Sequence, residues 1–106
     1  MKILKSGTFV RLWRLTDSER RGKLELVTMQ NDKGSYGIIE NVFVEEEHRG
    51  QGIASQLIAE AINLAKEKNF YKITLTCSED MVYFYARHGF SWHMLGQSHC
   101  MRINLK

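Results

Sequence analysis

From Thr8 to Leu15 apolar and polar side chains alternate, with Val10 and Leu12 directed one way and Phe9 and Trp13 the other. That two-residue period predicts a strand. Asp17-Ser18-Glu19-Arg20-Arg21-Gly22 is a polar connection ending in glycine, and Lys23 to Gln30 resumes the alternation with Leu24, Leu26 and Thr28 on one face. Asn31-Asp32-Lys33-Gly34-Ser35 is a strong turn signal, and Tyr36 to Val44 reads as a third strand. Three strands on short polar turns predict an antiparallel meander.

The period then lengthens. From Gln51 onward Ala54, Leu57, Ile58, Ala61, Ile62 and Ala65 recur at helical spacing, with Ser55, Gln56, Glu60, Asn63, Lys66 and Glu67 opposite them. This is an amphipathic helix, and Asn69 is its expected stop. Lys72 to Cys77 alternates again, so strand, helix and strand form a βαβ unit whose strands run parallel. Ser78 is placed to cap a second helix, from Glu79 to His88, with Glu79 and Asp80 at its positive end and Gly89 as its stop. Phe90 to Leu95 and His99 to Leu105 read as closing strands joined by a turn around Gly96. The order βββ-αβ-αββ predicts a single α+β domain over residues 1–106 with a mixed sheet.

Composition narrows the function classes. The 106 residues are 43% hydrophobic and 25% charged, which suits one globular core. Apolar runs are only a few residues long, so no membrane span is expected. Met1 to Lys5 starts like a signal peptide, but Ser6, Gly7 and Thr8 interrupt it, and the cytoplasm is the expected location. Cys77 and Cys100 lack metal or redox spacing and are expected to be reduced, partly buried thiols. His88, His93 and His99 likewise lack metal spacing, and no metal is expected. The net charge of +3 suits an anionic ligand, but the basic residues are scattered and no nucleic-acid motif is present.

The informative stretch is Val42-Phe43-Val44-Glu45-Glu46-Glu47-His48-Arg49-Gly50-Gln51-Gly52-Ile53-Ala54, where a strand ends, a glycine-rich turn follows and a helix starts. Glycines at 50 and 52 let a ligand approach the backbone, and the free amides of a helix start favour an anion such as a diphosphate. The spacing is not that of a P-loop, which needs Lys-Ser or Lys-Thr after the glycines. Nor is it a dinucleotide fingerprint, because Ser55 stands where the third glycine belongs. Arg49 to Ala54 fits R/Q-x-x-G-x-G/A and resembles the pyrophosphate loop of the GNAT acetyltransferase superfamily. The resemblance extends through Glu40-Asn41-Val42-Phe43-Val44, similar to that superfamily's fourth strand, and Phe84-Tyr85-Ala86-Arg87-His88-Gly89-Phe90, similar to its FYxxxGF signature. Phe70 to Cys77 is similar to a segment of glucosamine-6-phosphate N-acetyltransferases, and the whole match covers roughly residues 36 to 105.

That resemblance implies a small sheet with splayed central strands and a reduced N-terminal region. It implies acetyl-CoA as cosubstrate, with the backbone of Phe43 and Val44 along the pantetheine and the amides of Arg49, Gly50, Gln51, Gly52, Ile53 and Ala54 at the pyrophosphate. Tyr85 falls on the tyrosine that, in many members, protonates or hydrogen-bonds the departing thiolate. The expected activity is acetyl transfer to a primary amine, whether a small molecule such as an amino sugar or amino acid, or a protein N-terminus. An acyl-CoA-binding regulatory or interaction module without turnover is the alternative. Thr76 and Met81 depart from the acidic residue and asparagine of the glucosamine-phosphate enzymes, so the cofactor carries over more directly than the acceptor. Glu40 alternates with Val42 and Val44 on a largely apolar face, which makes it either a general base of raised pKa or the partner of Arg11 or Arg14. The short N-terminal region leaves sheet edge to cover and points to a homodimer.

Overall fold

A computed structural model of the chain describes residues 8–92 and 99–106. Strands β1 (Thr8–Thr16), β2 (Gly22–Asn31) and β3 (Gly34–Val44) are followed by a 3-10 turn at Glu46–His48 and helix α1 (Ile53–Glu67). Then come β4 (Lys72–Cys77), a second 3-10 turn at Glu79–Met81, α2 (Val82–Ala86), β5 (Ser91–Trp92) and β6 (His99–Asn104). The strands form one six-stranded sheet in the order β1-β2-β3-β4-β6-β5. Only β3 and β4 run parallel, as the βαβ spacing requires. The turn around Gly96 and the end of the strand expected up to Leu95 lie outside the described residues.

The apolar stripe of α1 is Ile53, Leu57, Ile58, Ala61 and Ala65, all buried. It packs with Leu24 and Leu26 of β2, Ile39 of β3, Ile73 and Leu75 of β4 and Met101 of β6 in one core. A fully buried leucine or isoleucine contributes roughly 1.5–3 kcal/mol, so Leu57 and Ile58 anchor a helix that would be marginal by itself. The helix ends as its sequence predicts. Asn69 takes a left-handed φ of 68°, its N–H donates to the carbonyl of Lys66, and the Phe70 N–H reaches back to that of Ala65. Those two bonds close a Schellman motif whose following residue, Phe70, is itself in the core.

Three expectations change. Phe9 pairs with Met29, but the next pair is Arg11 with Thr28, so Val10 is an extra residue in β1. That bulge turns Phe9 to the same face as Leu12, opposite to Trp13. The helix expected from Glu79 to His88 is α-helical only at Val82–Ala86. Its first turn is 3-10, closed by the Met81 N–H on the Ser78 carbonyl, and the Ser78 hydroxyl donates to the Asp80 carboxylate and makes no cap bond. Finally, Glu40 does not share a face with Val42 and Val44, for a reason described with the site.

The β1–β2 turn is organised by Asp17, only 3% exposed. Its carboxylate accepts the Arg21 and Gly22 amides at 2.7 and 2.9 Å and the Arg21 Nε at 2.8 Å. Burial pushes the Asp17 pKa up, but the Arg21 side chain and the two amides outweigh it and hold the pKa at about 2, against 3.8 ordinarily. A depressed carboxylate stabilises the fold fully above its unfolded pKa and loses that contribution as pH falls through the folded one. Wild type should therefore melt above Asp17→Asn by a margin that is full well above 3.8 and shrinks to its minimum only below about 2. Thermal melts of both proteins across acid pH check this, and a margin independent of pH would contradict it.

Candidate active site

The parallel strands β3 and β4 are in register only at Gly37 with Ile73 and Ile38 with Thr74. Beyond those pairs they part, because β3 changes course. Glu25 of β2 pairs with Glu40, and Lys23 with Phe43, so Asn41 and Val42 of β3 stand opposite Leu24 alone. Asn41 has a φ of 56°, a left-handed conformation that asparagine tolerates better than most residues. Its side-chain amide donates to Glu25 Oε1 at 2.6 Å and fixes the bulge. Glu25, which also receives Arg14 Nε at 3.4 Å, has its pKa lowered, with Asn41 the larger cause.

This bulge corrects the placement of Glu40. Val42 and Val44 pack against the core, whereas Glu40 is exposed and sits beside Glu25 on the opposite face. Arg14 pairs with Glu25, not with Glu40, and Arg11 lies over the Trp13 ring. Glu40 is therefore neither embedded in an apolar face nor bound to either arginine.

Between the parted strands lies a cleft of about 970 Å³. Glu40, Phe43, Val44, Arg49, Gly50, Gly52, Ile53, Ala54 and Tyr85 line it. Every residue singled out as a candidate thus meets there except Gln51, whose side chain receives Arg21 Nη1 at 3.4 Å. Gly50 and Gly52 have φ of 83° and 82°, and a Cβ built on either meets no atom within 4 Å. Their missing side chains leave open space beside the start of α1. Gly52 caps that helix with no side-chain bond to its first amides. The donors at the helix start are thus free of side-chain partners, and this end carries the positive pole of a four-turn helix. The Arg49 guanidinium bonds the Val44 carbonyl at 3.0 Å and sits 5.9 Å from the Phe43 ring.

The wall opposite the glycines comes from α2 and β4. Of the three successive aromatics, Tyr83 is exposed, Phe84 half-buried and Tyr85 only 5% exposed. Tyr85 packs edge-on against Phe84 and Phe90. Burial, and secondarily the nearby Cys77 thiol, push its pKa up, so the phenol keeps its proton at neutral pH. His88 shares 3.1 Å with the Ser55 hydroxyl and joins α2 to the first turn of α1, while burial and Arg87 lower its pKa. Asn41, Ser55, Cys77, Met81 and Arg87 also line the cleft without having been singled out as site residues. Arg87 lies inside the FYxxxGF-like stretch, with its guanidinium 5.7 Å from the Phe84 ring. Among the described residues no cluster of metal-ligating side chains occurs, and no helix is long and apolar enough to cross a membrane.

An acetyltransferase (GNAT) family model matches residues 5–90, and the chain belongs to that family. A glucosamine 6-phosphate N-acetyltransferase of Schizosaccharomyces pombe is 39% identical over 59 residues, which are 56% of this chain and 53% of that protein. One from Trypanosoma brucei brucei is 37% identical over 57 residues, 54% of this chain and 39% of its own length. The chain thus matches about half or less of these relatives' length. An acetyltransferase structure from Bacillus cereus superposes with a TM-score of 0.76 at 22% identity, covering 95% of this chain and 77% of that one. A paia N-acetyltransferase from Thermoplasma acidophilum, solved in complex with coenzyme A, gives 0.72 at 19% identity over 90% and 62%. These likenesses establish the fold, a mixed sheet with its helices in the same arrangement.

Proposed function

We propose that this protein transfers an acetyl group from acetyl-CoA to a primary amine. The observation that carries the reading is the cleft where β3 and β4 part, closed at one end by two left-handed glycines that face open space. The cofactor fits this cradle chemically. The amides from Arg49 through Ala54, Gln51 included, are suited to hold its diphosphate, and the unpaired edge of β3 at Phe43 and Val44 offers backbone bonds to the pantetheine amides.

Acetyl-CoA supplies an activated acyl carbon. An ammonium must lose a proton before its lone pair attacks, and Glu40, exposed at the cleft beside Glu25, takes that proton directly or through water. Two neighbouring carboxylates also favour a cationic amine at this rim. A backbone N–H near Phe43 or Val44 stabilises the oxyanion formed when nitrogen adds to the carbonyl carbon. Tyr85 would protonate the departing thiolate as the C–S bond breaks, and solvent would take the surplus proton left on the nitrogen and restore that of Tyr85. The relatives' names support an amino sugar phosphate as the first acceptor to try, followed by amino acids and peptides with free N-termini. The free thiols of Cys77 and Cys100 suit action in the reducing cytoplasm.

Saturating CoA should stabilise the protein, by about 2.7 kcal/mol at a hundredfold excess over Kd. Tyr85→Phe keeps the ring and its packing, so CoA stabilisation should persist while turnover falls about tenfold or more, as loss of a general acid predicts. Free-thiol release and melting curves on the two proteins read both. No CoA stabilisation of wild type would contradict the reading. Stabilisation without thiol release from any amine would favour an acyl-CoA-binding module instead.

We further infer a homodimer through the sheet face that α1 leaves open. Bulged β1 puts Phe9, 58% exposed, beside Leu12, 37% exposed, on this face with the half-buried Val27, Met29 and Ile38. Apolar surface of this kind at a sheet edge favours a symmetric partner. Light scattering should give twice the 12.4 kDa chain mass, and a constant 12.4 kDa over a wide concentration range would contradict it.

A further inference from the structure

The one candidate residue whose side chain turns away from the cleft, Gln51, is also the one bonded to the β1–β2 turn. We infer that Arg21, locked by Asp17, is a positioning residue that holds the glycine-rich turn in shape for cofactor binding. This inference rests on the acetyl-CoA reading of the same cleft.

Arg21 is built for such a task. Asp17 fixes its backbone amide and its Nε, leaving the Nη1 end of the guanidinium directed at Gln51 Oε1. The planar fork of arginine serves two acceptors at once, which the single nitrogen of lysine does not do in the same geometry. The Arg21 carbonyl meanwhile accepts the Glu45 amide at 2.7 Å, at the exit of β3. One residue therefore grips the chain both before and after the Glu46–His48 turn.

A second observation, independent of hydrogen bonding, places the same turn under the site. A Cβ on Gly22 would lie 2.9 Å from Ile53 Cγ2 and 3.1 Å from the Phe43 carbonyl oxygen. Glycine at 22 thus lets the turn press against the end of β3 and the first residue of α1 together. The segment from Phe43 to Ala54 carries the residues assigned to the cofactor, and it is seated on Arg21 and Gly22, which Asp17 holds in place. Gly50 and Gly52, being glycines, lose more conformational freedom on ordering than other residues, so an external brace has the most to contribute there. Preorganising a binding loop raises affinity by reducing the ordering left for the ligand to impose.

The test is a double-mutant cycle on CoA affinity by titration calorimetry, with Arg21→Lys, Gln51→Ala and the pair. Arg21→Lys retains the charge and an Asp17 contact, and its melting temperature is measured alongside. Each single change should weaken CoA about three- to tenfold, and the double variant should be no weaker than the worse single one, because both remove one interaction. With acetyl-CoA as substrate, KM should rise more than kcat falls. A wild type that binds CoA beside single variants that bind it equally well would overturn the brace and leave the acetyltransfer reading standing. Fully multiplicative losses would overturn it too, since the two side chains would then act separately. A wild type that fails to bind CoA would overturn the cofactor reading itself, and the brace with it.

Discussion

A strand that takes one residue into the left-handed region gains a residue over its neighbour and bends, and Asn41 does this to β3. The consequences run through the whole site. Straight continuation would keep β3 beside β4 and satisfy both edges. The bend instead ends their pairing at Ile38 and Thr74 and leaves backbone polar groups facing a cleft. Unpaired backbone groups at a strand edge seek partners, and a ligand rich in amides is one way to supply them. The bulge also moves Glu40 to the outer face while Val42 and Val44 stay on the core, so one backbone torsion separates the proposed base from the apolar wall.

The cleft needs a firm floor and a flexible mouth, and the two come from different parts of the sequence. The floor is α1 packed on β2, β3 and β4, where Leu24, Leu26, Leu57, Ile58 and Ile73 are wholly excluded from water. The mouth is the turn from Glu45 to Gly52, whose glycines leave open space but provide little rigidity of their own. Asp17 and Arg21 stand between these demands. A buried carboxylate with three bonded donors is among the stiffest polar arrangements a small domain can build, and its depressed pKa reflects those bonds.

Much of this was legible in the residues. The helical period of α1, its Asn69 stop and the strand alternation of Leu24, Leu26 and Thr28 each report a burial pattern that the fold obeys. Gly50 and Gly52 were readable as a turn that needs left-handed backbone, and their positive φ angles agree. The two bulges were not readable. An extra residue at Val10 or Asn41 shifts the phase of side chains without changing residue types, so strict alternation assigned Phe9 and Glu40 to the wrong faces. The short α2 escaped for another reason: Ser78 stands at the cap position but makes no cap bond, its hydroxyl donating to Asp80. The tie of Arg21 to Glu45 and Gln51 carried no signal, since those residues lie in a distant turn that only the folded chain brings to it.

On the proposed reading, acetyl-CoA lies between the parted ends of β3 and β4 with its diphosphate on the glycine-rich turn. Backbone amide resonances followed by NMR during titration with CoA test this most directly. The account predicts saturable shifts concentrated at Val42 to Val44 and Gly50 to Ala54, with the β1–β2 strands away from the Asp17 turn little changed. Shifts confined to other surfaces, or none at millimolar CoA, would contradict it.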